Sequence, residues 1–383
     1  MKVLFIGEYA LGQNAVSGVQ AVSRVMCNAL SKQPDIDLHV IAFQPGIDEG
    51  IEGKEGYTLY RIPANPNGGL VTQGRDDRRK LVRKFAEISP DIIHANQSGV
   101  HALAALDSGL PTVLTVHGIF PWLSRALYGG GVKGRVRQAL FNRLHRGCLR
   151  RAKHVILISP YVEEAIKPYT NAATYRIDVP IDPVYFERTW THSDNELLFV
   201  GLISERKGVD NLLRAFGMVL QNHPDLRLNI VGKVADEQYN ACLLAYLEEN
   251  KLADKVRWLG VLDRSSLADR YASSAMLILP SLEETTPGVI AEAMAVGCPV
   301  VASRVGGVPT MIQDGATGLL VEPRDSEGLA GAISKLLEDR TLRQEISGQA
   351  RDVAVERFAP WSVAAKTVEV YGMVIEVEKA NQN

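Results

Sequence analysis

PSLEETTPGVIAEAMAVGCPVVASRVGG, residues 280–307, decides the fold. It begins where a short apolar run, AMLILP (275–280), ends. That run is short and aliphatic, as a strand covered on both faces should be. A helix is predicted over 288–297, with Gly297 and Pro299 as stop signals. A second apolar run, CPVVAS (298–303), follows at once. In open α/β sheets, ligands bind at the carboxyl ends of the strands. Two carboxylates lie there, Glu284 on the loop and Glu292 eight positions later on the helix. They can grip ligand hydroxyls from two sides. Neighbouring Glu283 is expected only to complement the helix dipole.

The same alternation extends in both directions. Upstream, strands are predicted at 2–7, 37–43, 57–63, 91–96, 111–118, 154–159 and 175–180, with a helix at 19–32. Residues 186–195, FERTWTHSDN, are polar and lack apolar periodicity, so the domain boundary is placed there. Strands resume at 196–201, 227–232, 256–260, 275–280, 298–303 and 318–323. Two α/β units of similar size imply two Rossmann-like domains facing each other across a cleft, over 1–185 and 196–355. Residues 361–380 have apolar positions at helical spacing, and a helix that returns to the first domain is expected. Three hundred and eighty-three residues fit two domains better than one.

Composition excludes several classes. The chain is 46% hydrophobic and 22% charged, as globular proteins are. No apolar run is long enough for a membrane span, and MKVLFIGEY reads as a first strand rather than a signal peptide. Cys27, Cys148, Cys242 and Cys298 are scattered without CxxC spacing, which fits a reducing cytoplasm. GxGxxG is absent after the first strand, which argues against a nicotinamide cofactor. The net charge of −2 hides an asymmetry: residues 1–186 hold 22 Lys+Arg against 16 Asp+Glu. The excess concentrates between Arg125 and Lys153, nine cations without a carboxylate. Trp122, Leu123, Leu127, Tyr128 and Gly129–Gly131 precede or open it. It reads as a solvated helix face, as a surface for an anionic membrane, or as the receiver of an anionic or lipid-linked acceptor. A pI near 6.5 without a recognition motif disfavours nucleic acid.

GLISERKGVDNLLRAF (201–216) holds the other chemical signal. Gly201 ends a strand and Gly208 opens a helix. Arg206 and Lys207 stand at that helix's N-terminus, where free N–H groups and the dipole already favour an anion. Cations there are unfavourable without a ligand, and a diphosphate fits.

Together these segments resemble glycosyltransferase family 4, retaining enzymes of the GT-B fold that use nucleoside-diphosphate sugars. Residues 284–307 follow the family pattern E-x7-E-AMA-x-G-x-PVVAS-x-x-GG, GLISERKG follows its diphosphate segment, and WLGVLD (258–263) its base-binding turn. PTMIQDGATGLLVEPRD (309–325) fits as well. The resemblance implies that Glu284 contacts the transferred sugar and Glu292 the ribose. It also places the backbone at Val261 and Leu262 against the base, and Gly201, Arg206 and Lys207 against the diphosphate. Thr286, Pro287, Gly288 and Val289 complete the donor loop. In the first half, Ser17-Gly18 stands where the family often has Gly-Gly, which puts Gly18 at the donor. DIIHAN and TVHG put His94 and His117 forward, with His117 near the reacting sugar. Leu202 replaces the family arginine, IDVPID (177–182) lacks its asparagine, and Pro287 replaces a common glycine.

The implied reaction moves a sugar from a UDP- or GDP-sugar to an acceptor hydroxyl with retention, in polysaccharide, glycolipid or other glycoconjugate synthesis. His117, Arg206, Lys207 and Glu284 would be catalytic. Neither a metal nor a cofactor is expected. A hinge near 181–195 would let the cleft close on the donor. A cytoplasmic location, or a peripheral one at the inner membrane face, follows. A sugar-nucleotide 2-epimerase of similar fold and a non-catalytic nucleotide-sugar-binding subunit are the alternatives.

Overall fold

The computed structural model describes residues 1–11, 18–65, 70–120, 124–125, 128–129, 131–191 and 195–381. Ser17, Trp122, Leu123, Leu127 and Gly130 lie outside the described residues. The chain divides into two α/β units, Met1–Pro180 with Pro360–Asn383, and Ile181–Ala359.

The first unit is built on strands β1 (Lys2–Gly7), β2 (Asp37–Gln44), β3 (Gly50–Lys54), β4 (Tyr57–Pro63), β5 (Ile92–Asn96), β6 (Thr112–Val116), β7 (His154–Leu157) and β8 (Ala173–Arg176). They form one sheet in the order β3-β4-β2-β1-β5-β6-β7-β8. Every pairing is parallel except β3 with β4. Central strands such as β5 and β6 are buried along their whole length, which is why they read as unbroken apolar runs. The chain leaves β1 toward β2 and returns on its other side at β5, so the topological switch lies between β1 and β5.

Two edges of this sheet differ from the sequence reading. β3, GIEGK, was not expected, because two glycines and four exposed residues leave it without an apolar pattern. It forms through a tight antiparallel hairpin with Lys54 opposite Tyr57 and Gly56 at φ 83°. β8 lies at Ala173–Arg176 rather than 175–180, because these are the four residues that pair with His154–Leu157. The C-terminal helix Pro360–Ala380 returns to this unit and packs on the helix Gly18–Leu30. Val363, Ala364, Val370, Tyr371 and Val374 bury against Val3 and Phe5. With buried Thr367 between them, these positions recur at three and four residues and form one helical stripe.

The second unit has β9 (Glu196–Val200), β10 (Arg227–Val231), β11 (Val256–Gly260), β12 (Met276–Leu279), β13 (Val300–Ser303) and β14 (Leu319–Val321). The order is β11-β10-β9-β12-β13-β14, with parallel pairing throughout. All side chains of β12 and β13 are buried. From β9 the chain adds β10 and β11 on one side, and then β12 to β14 on the other, so the switch point lies between β9 and β12. Met276 pairs with Leu197 and Leu277 with Leu198 across it.

The polar stretch 186–191 belongs to the second unit. Trp190 Nε1 donates to the Ser274 carbonyl at 2.7 Å, and Trp190 N to the Val296 carbonyl at 3.0 Å. Arg351 Nη2 donates to the Phe186 carbonyl at 3.0 Å, and Nη1 to the Arg188 carbonyl at 2.6 Å.

Candidate active site

At the switch point, the loops after β9 and β12 meet. Lys207 Nζ lies 2.5 Å from Glu284 Oε1, with side chains only 12% and 7% exposed. Burying two charges is costly unless both are paired and hydrogen-bonded. Ser281 Oγ supplies a further bond, donating to Glu284 Oε1 at 2.8 Å. Arg206 is the outer cation, 46% exposed, with Nη1 3.9 Å from Glu284 Oε2. The same Nη1 donates to the Glu283 carbonyl at 2.8 Å. Glu283 therefore contributes a backbone acceptor to the site.

Glycines allow this proximity. Gly208 has φ 64°, and a Cβ there would lie 2.2 Å from the Pro280 carbonyl oxygen. Gly306 has φ 50°, and a Cβ would lie 1.8 Å from the Glu284 carbonyl oxygen. The GG at 306–307 thus clamps the Glu284 loop, where the Gly307 amide donates to the same carbonyl at 3.1 Å. Pro287 is the N-cap of the helix Gly288–Val296, without a side-chain cap. The amides of Gly288 and Val289 head this helix, and Thr286 precedes it. Unpaired amides at a helix start are an anion and hydroxyl site.

Glu292 belongs to a second cluster. Tyr271 OH donates to Glu292 Oε2 at 3.0 Å. Burial raises its carboxyl from 4.5 to about 7, against the hydrogen bond from Tyr271 and the charge of Arg264. Arg264 offers only partial relief because Asp182 pairs with it at 2.5 Å. Val261, 74% exposed, and Leu262 follow the end of β11, where Gly260 turns with φ 66°. Gly201 ends β9, and its amide donates to the Val231 carbonyl at 3.0 Å. Leu202, where the family arginine would be, is exposed.

In the first unit, His117 follows β6. Its Nε2 lies 2.6 Å from Asn96 Oδ1. Asn96 Nδ2 donates to Ser23 Oγ at 2.8 Å, and Ser23 Oγ donates to the Val19 carbonyl at 3.0 Å. This chain fixes the amide orientation, so Asn96 Oδ1 must accept and His117 Nε2 must carry the proton. Nδ1 is left as an acceptor. Burial lowers the His117 pKa to about 4, so the ring is neutral near pH 7. Gly18 opens the helix that carries Ser23. His94 is engaged at both nitrogens, by Tyr371 OH and Thr115 Oγ1 at 2.6 Å each. It ties β5 and β6 to the C-terminal helix.

Lys207, Arg206, Glu284 and Gly201 thus meet at one switch point, Glu292 sits with Tyr271, Arg264 and Asp182, and His117 belongs to the other unit. Sequence reasoning missed Tyr271, Arg264, Asp182, Ser281 and the Asn96–Ser23 relay. Asp182 had a signal, as Asp-Pro opening a helical turn, and its side chain accepts from the Val184 amide. Tyr271 had none, being one apolar position among several on its helix. Among the described residues, no three His, Cys, Asp or Glu side chains converge as a metal site.

Comparison with known proteins agrees with this layout. The domain model described as glycosyl transferases group 1 matches residues 185–353, and that of Glycosyltransferase Family 4 matches residues 16–182. An uncharacterized glycosyltransferase of Methanocaldococcus jannaschii is 31% identical over 85% of this chain and 87% of its own. Sucrose-phosphate synthase from Thermosynechococcus elongatus superposes with a TM-score of 0.77 at 20% identity, over 98% of this chain and 99% of the other. Anabaena HepE, solved in complex with UDP, gives 0.75 at 22% identity, over 97% and 100%. At such identities the two structures speak for the fold, which is GT-B. With both halves matched and a relative aligned over most of both chains, this protein belongs to the family 4 glycosyltransferases.

Proposed function

We propose that the protein transfers a sugar from a nucleoside-diphosphate sugar to an acceptor hydroxyl with retention at the anomeric carbon, and without a metal. The observation that carries this reading is the buried Lys207–Glu284 pair at the β9/β12 switch point, flanked by Arg206 and the amides of Gly288 and Val289. Lysine offers three N–H donors. One meets Glu284, which leaves two for the diphosphate. Glu284 faces the transferred sugar and Glu292 the ribose, with Gly201 beside the diphosphate and the Val261–Leu262 backbone at the base. Thr286 and Pro287 shape the sugar loop. His117 Nδ1 accepts from a substrate hydroxyl, and Gly18 contributes its amide. That HepE was solved with UDP supports a nucleotide donor.

In the step itself, the bond from the anomeric carbon to the β-phosphate oxygen breaks and one to the acceptor oxygen forms on the same face. The acceptor proton passes to the departing diphosphate. Preorganised donors matter most where charge develops, and losing one typically costs on the order of 10²–10³ in rate. Lys207→Ala is expected to lose at least that much turnover while keeping a cooperative melt. Near-normal turnover would falsify the assignment. Product anomeric configuration by NMR tests retention, and insensitivity to a chelator tests metal independence. Isomerised donor formed without acceptor would instead favour the 2-epimerase.

A further inference from the structure

The helix Gly131–Arg151 of the first unit carries a feature that the transfer reaction does not use. Its buried face is formed by Gly134, Phe141, Leu144, His145, Cys148 and Leu149. The opposite face carries Arg143 and Arg150, both exposed, with Arg146 one turn from each. Together with Gln73, Ala139 and Gly147 they line an open pocket of about 320 Å³. No carboxylate lines it, and the helix itself contains none. Like charges three and four residues apart destabilise a helix, so three guanidinium groups gathered here need an anion to offset them.

Arg146 is preset for one. Its guanidinium carbon lies 5.0 Å from the Tyr169 ring centre and 5.9 Å from that of Phe120. Its Nε is buried without a hydrogen-bond partner. Aromatic faces hold the cation in place without neutralising it. Among the described residues, Arg143 and Arg150 form no ion pair, in contrast to Arg151, which pairs with Asp107 at 2.7 Å. Gln73 reaches the pocket from a turn held in the left-handed region, at φ 51°.

The same helix face continues toward its N-terminus through Val136 and Val132, which are 55% and 81% exposed. Positions 132, 136, 139, 143 and 150 fall on one stripe of an α-helix. Lys133 and Arg135 flank the valines and are exposed as well. Exposed aliphatic side chains set among uncompensated cations suit a surface that meets lipid headgroups and the upper acyl region together. A soluble phosphate would have no use for the valines.

We propose that the Arg143–Arg146–Arg150 pocket seats the phosphoryl group of an anionic phospholipid, with Val132 and Val136 entering the bilayer interface beside it. The proposal does not rest on the transferase reading, because binding is read without turnover. The test is co-sedimentation of the full chain with vesicles of phosphatidylcholine alone and of phosphatidylcholine mixed with phosphatidylglycerol. Binding is expected to the mixed vesicles only, and to weaken with salt. Arg143→Ala with Arg150→Ala should weaken it roughly 30-fold, taking the usual contribution of a basic residue at a charged bilayer for each. Val132→Ser with Val136→Ser should weaken it as well. All four positions are exposed, and an unchanged thermal melt confirms that the variants fold. Equal binding to both vesicle types, or undiminished binding by the arginine variant, overturns the proposal. Saturable binding of inorganic phosphate without partition into mixed vesicles also overturns it, in favour of a soluble phosphoryl ligand.

Discussion

Glu284 and Glu292 are the same residue type in opposite surroundings. Glu284 has Lys207 at 2.5 Å, whereas Glu292 is buried against Tyr271, and the cation nearby, Arg264, is already held by Asp182. Burial consequently raises the Glu292 carboxyl from 4.5 to about 7. The stability contributed by the protonated form is full below about pH 4.5 and is lost as pH rises through about 7. Under the proposed ribose role, donor binding should move the other way, because only the carboxylate could accept from two ribose hydroxyls. Calorimetric Kd for a nucleotide sugar is expected to fall as pH rises toward 7, by up to about tenfold per unit. A sugar nucleotide is the right probe, since its diphosphate diester does not titrate there. Glu292→Gln should bind more weakly and show no such trend; an unchanged slope in that variant would reject the role of Glu292.

Among the elements, the segment 186–191 shows how a stretch without apolar periodicity is held. Trp190 donates outward from it, and two of its own backbone carbonyls accept from a residue far along the chain. Arg351 Nη1 reaches the carbonyls of Arg188 and Ala295 at 2.6 and 2.9 Å, and Nη2 that of Phe186 at 3.0 Å. Hydrogen bonds from charged donors are worth about 1.5–3 kcal/mol each. Arg351→Met is therefore expected to destabilise the second unit by at least about 3 kcal/mol, because several such bonds are lost together. A urea melt measures it, and a midpoint within error of the parent would refute this role. The strands show the limits of pattern reading from the other side. β12 and β13 are legible because every side chain is buried. β3 and β8 are edge strands with mostly exposed residues, and backbone pairing alone defines them.

At the scale of the whole molecule, the buried histidines among the described residues are concentrated in the first unit. Burial lowers His94 to about 3, and His101, His117 and His145 to about 4, from an ordinary 6.5. The unfolded chain takes up these protons below 6.5 while the folded one resists until about 4, so stability falls as pH drops through that window. Each group contributes up to about 1.4 kcal/mol per pH unit. Tm should drop between pH 6.5 and 5, before most carboxylates titrate. The drop should be shallower in His101→Asn, which removes one titrating ring. A flat Tm over that interval, or an identical slope in the variant, would count against this account.

The sequence by itself determined the α/β class, the two-unit plan and the segments of the candidate donor site. Buried parallel strands must be apolar, helix starts must present free amides, and tight loops need glycine; each leaves a local mark, as GLISERKG and 284–307 do. Only the tertiary structure decided which charges share a site. Lys207 and Glu284 are 77 positions apart, and β9 and β12 become neighbours because the chain reverses its winding between them. It also decided the proton placement on His117, through Asn96 and Ser23, and the raised pKa of Glu292, through burial against Tyr271. Such properties depend on distances across the fold, and no local spacing encodes them.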